Sequence, residues 1–147
     1  MEYVIGKKMD LENILKLYRQ FNQDIDIFAE FKMEDANIVW DEIEKYNIKY
    51  FLAKDNGIII GSCYICIIPN LTYNGKSIGF IENVITDEKY RGKGIGKKLM
   101  EMAIEYAKEN NCYKIILQSG IKRPEAHKFY EKVGFNGESK KAFELRL

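Results

Sequence analysis

Arg91-Gly92-Lys93-Gly94-Ile95-Gly96 stands between a strand-like segment, Gly79 to Thr86, and a helix-like segment, Ile95 to Asn110. A turn of this kind leaves backbone N–H groups unpaired at a helix start, where the helix dipole is positive, so it makes an anion site. Glycine lets a phosphate approach the backbone with no Cβ in the way. Arg91, Lys93, Lys97 and Lys98 add positive charge to the same turn. A pyrophosphate cradle is one reading; a tight strand-to-helix turn on a solvated basic face is the other. The loop lacks the Gly-Lys-Ser/Thr ending of a P-loop, because Gly96 is followed by Lys97-Lys98. It also lacks the third glycine of a dinucleotide fingerprint, and Gln118, not an acid, follows the apolar run Lys114 to Leu117.

Working outward, both sides of the loop carry regular patterns. Upstream, Tyr3 to Gly6 reads as a strand. Asp10 is placed as the N-cap of a helix with apolar Leu11, Ile14, Leu15, Tyr18 and Phe21. Glu34 to Tyr46 reads as a second helix with Ala36, Val39, Trp40 and Ile43 on one face. Tyr50 to Lys54 and Ile58 to Ile68 read as a hairpin about Asn56-Gly57, and Ser77 to Thr86 as the strand entering the loop. Downstream, the helix from Ile95 repeats apolar residues at Leu99, Met102, Ala103, Tyr106 and Ala107. Lys114 to Leu117 then reads as a strand, Pro124 to Val133 as a helix closed by Gly134, and Ala142 to Leu147 as a final strand. This order predicts a mixed α/β (α+β) sheet, mostly antiparallel, flanked by helices, in a single domain over residues 1–147.

Composition narrows the function. The chain has 147 residues, 46% hydrophobic and 13% aromatic, enough to bury a core. With 23 basic and 22 acidic residues, the net charge of +1 argues against a nucleic-acid binder. The sequence has no apolar run long enough for a membrane span, and its start is unlike a signal peptide, so a cytoplasmic setting is expected. Cys63, Cys66 and Cys112 are expected as reduced thiols. Cys63 and Cys66, three apart on a strand, face opposite sides, which suits no metal site, and none is expected.

With these elements in order, two motifs resemble the GCN5-related N-acetyltransferase superfamily. The first is Arg91, Gly94 and Gly96 after Glu82-Asn83-Val84-Ile85-Thr86. The second is Ala126-His127-Lys128-Phe129-Tyr130 through Gly134-Phe135. Ile81 to Val84 and Cys112 to Leu117 are similar to amino-sugar phosphate acetyltransferases, whereas Ser119 to Phe135 and the tail look like aminoalkylphosphonate acetyltransferases. The resemblance implies a sheet of six to seven strands with about four helices. It also implies an acyltransferase that moves the acetyl group of its co-substrate, acetyl-CoA, directly to a primary amine of a small molecule. An acceptor amine on a protein or peptide, or a non-catalytic acyl-CoA-binding module, stays open beside it. The resemblance allows a homodimer, and no metal, membrane or nucleic-acid partner is expected.

Carried over position by position, the resemblance puts the pyrophosphate on Arg91, Gly92, Lys93, Gly94, Ile95, Gly96 and Lys97. The pantetheine arm would pair with Val84, Ile85 and Thr86, and an N–H of Val84 or Ile85 would hold the thioester oxygen. Tyr130 matches the acid that protonates the departing thiolate, although packing beside Phe129 and Phe135 would also account for it. Glu82 is the candidate base, and strand alternation would set it on one face with Val84 and Thr86. Arg123 stands where many members have a cofactor-contacting Asn, so that role is not carried over, and His127 is expected at the surface. Asp24, Asp26, Glu30, Glu34 and Asp35 would form an acidic rim suited to a cationic amine, or simply a solvated loop. Phe21, Phe28, Phe31 and Tyr73 would line an acceptor pocket or fill the core.

Overall fold

The computed structural model describes residues 1–21, 28 and 30–147. It divides into two compact units, Met1–Ile116 and Leu117–Leu147.

The first unit is built on a sheet in the order β1 (Glu2–Ile5), β2 (Ile48–Asp55), β3 (Ile58–Ile68), β4 (Ser77–Thr86), β5 (Cys112–Leu117). β1 to β4 pair antiparallel in succession. The Ser77 N–H donates to the Asn111 carbonyl (3.1 Å), so β4 and β5 start side by side and run the same way. Asn56 and Gly57 both take positive φ (47° and 81°), the geometry that a two-residue hairpin between twisted strands requires. α1 (Leu11–Tyr18) and α2 (Met33–Lys45) cover one face, burying Leu11, Ile14, Leu17, Tyr18, Ala36 and Trp40 against Leu52, Ile59 and Ile85. α3 (Ile95–Glu109) covers the other. Its buried Ile95 and Leu99 press on Gly61, where a Cβ would lie 2.9 Å from Ile95 Cγ2 and 3.0 Å from Leu99 Cδ1.

Asp10 does not cap α1 with its side chain. Its carboxylate instead accepts from the Lys7 N–H (3.0 Å) and from Lys54 Nζ (2.6 Å). The ammonium of Lys54, three-quarters buried, claims the oxygen that the helix N–H groups would otherwise receive.

The second unit holds α4 (Pro124–Val133). Its end is closed by Gly134 at φ 113°, with the Phe135 N–H returning to the Tyr130 carbonyl (3.0 Å). The expected strand Ala142 to Leu147 does not form, so among the described residues the sheet has five strands, not six to seven. Its alternation is intact, but Phe143, Leu145 and Leu147 lie exposed, and alternation alone makes no strand without the ladder of a second one. Among the described residues no helix is long and apolar enough to cross a membrane.

Candidate functional site

The site is organised by β4 and the turn that follows it. β3 and β4 run in register from Ile68↔Ile78 to Tyr64↔Glu82, and resume at Ser62↔Ile85. Asn83 and Val84 therefore stand against Cys63 alone, and Asn83 takes φ 52°. This is a β-bulge, which leaves backbone groups of the bulged strand outside the ladder and turns the strand locally.

The bulge overturns the simple alternation expected for β4. Glu82 shares its face with Ile85, opposite Tyr64 and Ser62, on the side covered by α1 and α2. Thr86, opposite Gly61, lies on the α3 side. The extra residue between Glu82 and Ile85 restarts the period, so Glu82 and Thr86 do not share a face.

On the α1 and α2 side, Trp40, Tyr50 and Tyr64 form a row of rings with centroids 5.1 and 5.0 Å apart. Burial, and secondarily the facing Glu82 carboxylate, raises the Tyr64 phenol above its ordinary value, so it stays protonated. Beneath them the Tyr18 hydroxyl lies 3.4 Å from Ser62 Oγ. Burial raises Tyr18 strongly, and the polar Ser62 and Asn83 side chains beside it oppose that shift. The left-handed Asn83 thus lies beside a phenol of α1 that stays in its neutral form.

After β4 the chain makes a short 3₁₀ turn, Glu88–Tyr90, and then the glycine turn. Gly92 (φ 75°) and Gly94 (φ 79°) are both left-handed with open space where a Cβ would stand, so conformation rather than crowding demands glycine there. Lys98 makes the first return bond, to the Gly94 carbonyl (3.1 Å). The N–H groups of Ile95, Gly96 and Lys97 therefore precede the helical ladder, in the position of an anion cradle. Arg91, Lys93, Lys97 and Lys98 are exposed around them. Arg91 Nε donates to the Thr86 carbonyl (3.3 Å), and Lys93 Nζ sits 4.7 Å from the centre of the Tyr90 ring.

Glu82, Val84, Ile85 and Thr86 thus line the last turns of β4, and Arg91 to Lys97 follow directly on the turn and α3. Tyr130 lies on α4 in the second unit, its ring 5.2 Å from Phe129 and 6.3 Å from Phe135. In the same unit, His127 Nε2–H donates to the Gly120 carbonyl (2.9 Å). Glu30, Glu34 and Asp35 are exposed, whereas Asp24 and Asp26 lie outside the described residues. Phe28 and Phe31 form a tilted pair (6.4 Å), and Tyr73 stacks on Tyr113 (4.1 Å). Sequence reading missed the Asn83 bulge and the Tyr18–Ser62 contact. An Asn inside a strand pattern was the one local sign of the former.

Residues 11–135 match the model of the acetyltransferase (GNAT) family. Over 87 residues the chain is 41% identical to a glucosamine 6-phosphate N-acetyltransferase of Trypanosoma brucei brucei, covering 59% of this chain and 57% of that one. The Arabidopsis thaliana enzyme of the same name is 26% identical over 137 residues, 90% of each chain. A solved structure of a candidate acetyltransferase from Agrobacterium tumefaciens strain C58 superposes with a TM-score of 0.91 at 33% identity, over 100% of both chains.

Proposed function

The chain belongs to the GNAT family of acetyltransferases, and from that premise we propose that it transfers the acetyl group of acetyl-CoA directly to a primary amine of a small molecule. One observation carries this reading: the β4 bulge at Asn83 is followed, after the 3₁₀ turn and the glycine turn, by the unladdered N–H groups that open α3 at Ile95. A strand with free backbone groups suits the amide-rich pantetheine arm, and the turn beside it suits the pyrophosphate.

Arg91, Gly92, Lys93, Gly94, Ile95, Gly96 and Lys97 take the pyrophosphate, while Val84, Ile85 and Thr86 pair with the pantetheine. The amine must shed a proton before it attacks, and Glu82 receives it, directly or through water. The C–N bond forms as the thioester oxygen gains charge against the N–H of Val84 or Ile85. The C–S bond then breaks, Tyr130 gives its proton to the thiolate, and the proton that the new amide nitrogen sheds returns to the tyrosine through water. The family match runs from the first unit into the second, which supports one transferase domain over residues 1–147. The three free cysteines suit a reducing cytoplasm.

The acceptor read first is an amino-sugar phosphate, the substrate class in the names of the trypanosome and Arabidopsis relatives. Thiol release from acetyl-CoA against amino-sugar phosphates, aminoalkylphosphonates, polyamines and short peptides tests this. Turnover with one small amine is expected. Silence with every small amine, with peptides acetylated, would overturn the small-molecule reading, and silence throughout would overturn catalysis itself.

A further inference from the structure

Gln20 joins two parts of the chain that the mechanism above leaves unconnected. It lies just beyond α1, held by its own N–H to the Leu17 carbonyl (3.1 Å) and by the Phe21 N–H to the Tyr18 carbonyl (3.0 Å). Its side-chain amide reaches the turn after β4 with both ends. Nε2 donates to Asp87 Oδ2 (2.8 Å), and Oε1 accepts the Glu88 N–H (3.2 Å). A reversed amide would set oxygen against carboxylate and NH₂ against N–H, so only this orientation satisfies both partners.

Asp87 is held on its other sides as well. Its N–H donates to the Ile60 carbonyl (2.8 Å), and Oδ1 accepts the Lys89 N–H (2.9 Å). The Gln20 bond, followed by the smaller effects of Lys89 and Arg91, holds the Asp87 carboxyl below its ordinary pKa despite partial desolvation. The charged form that receives the Gln20 NH₂ is therefore the one present at neutral pH. Ile14, Leu17 and Tyr18 root α1 in the core, so Gln20 projects from a stiff base.

Resting on the acetyl-CoA reading above, we infer that Gln20 is a positioning residue for the pyrophosphate turn. It ties the start of that turn, Asp87-Glu88, to α1, and so fixes where Arg91 to Lys97 present their N–H groups before the ligand arrives. An anion site ordered in advance does not lose affinity to the ordering of its own loop.

The test compares wild type with Gln20→Ala, Gln20→Glu and the exchanged pair Gln20→Glu/Asp87→Asn, with calorimetric Kd for acetyl-CoA and kcat and KM for S-acetyl-pantetheine, which carries no pyrophosphate. Gln20→Ala should weaken acetyl-CoA roughly tenfold, the loss of one charge-assisted hydrogen bond, and leave S-acetyl-pantetheine turnover within twofold. Gln20→Glu sets two carboxylates face to face and should bind no better. The exchanged pair rebuilds the clasp, with the amide now on the turn donating to a carboxylate at the end of α1, and should recover most of the affinity. Equal acetyl-CoA affinity in wild type and Gln20→Ala, or equal losses for both thioesters, would overturn the inference alone. No acetyl-CoA binding by wild type would overturn the reading of the site on which it rests.

Discussion

Glu82 faces Tyr64 directly across the β3–β4 ladder, and burial together with that carboxylate keeps the Tyr64 phenol in its neutral, donating form. Among the described residues the Glu82 carboxylate takes part in no ion pair and no side-chain hydrogen bond. A carboxylate at a bulge, beside rings rather than cations, is open to a proton from a bound amine. Replacing Glu82 by Gln should lower kcat/KM by about 10²-fold or more while acetyl-CoA affinity holds. Steady-state kinetics beside calorimetry measures both, and unchanged kinetics would remove Glu82 from the mechanism.

Tyr130 packs by its ring against Phe129 and Phe135, contacts a phenylalanine at the same position can keep. Tyr130→Phe should therefore keep this ring packing and lower turnover much more than acetyl-CoA affinity. Single-turnover thiol release is the decisive measurement. A variant as fast as wild type would remove Tyr130 from the mechanism.

Gly94 sits at φ 79° with open space around its missing Cβ. Gly94→Ala meets no collision, so its whole effect is the left-handed penalty, about 1–2 kcal/mol. The turn should relax away from the cradle, weakening acetyl-CoA severalfold in a titration, with the melting temperature lower by only a few degrees. An alanine at exposed Gly137, where φ is not positive, is the control.

Burial pushes the Cys63 thiol from its ordinary 9.0 up to about 12, its Sγ lying 3.6 Å from the Leu99 carbonyl. Because the folded value is the raised one, the stability this thiol contributes is complete below pH 9.0 and is lost as pH climbs toward 12. Burial raises Tyr18 and Tyr50 in the same sense. Denaturant melts should show stability level through neutral pH and declining above pH 9.0, with a shallower decline in Cys63→Ala.

What was legible in the sequence was local. The bounds of β3, β4 and α4 follow from β-branched runs and from Pro124 and Gly134, and the Asn56-Gly57 hairpin from two residues that tolerate positive φ. The glycine turn and Tyr130 stood out because their motifs are short and contiguous. Asn83 did not, because a left-handed residue inside a strand follows from the register with the partner strand, which no local pattern reports. Gln20 and Asp87 meet across a long separation, which no periodicity reports. Asp10 misled for the same reason: its competitor, Lys54, is distant in sequence. The tail misled differently, since alternation records a capacity to pair and not the presence of a partner.

Gly61 gives the turn one more property. Because β3 has no side chain there, the first turn of α3 rests on bare backbone through Ile95 and Leu99. The seat of the helix start against the sheet is therefore set by van der Waals contact, while Arg91 and the lysines supply only charge around it. Ionic strength acts on the second and not on the first. Concentrated salt should therefore weaken the pull of the turn on an anion while leaving the packing of Ile95 and Leu99 on Gly61, and with it the seat of the helix start, unchanged.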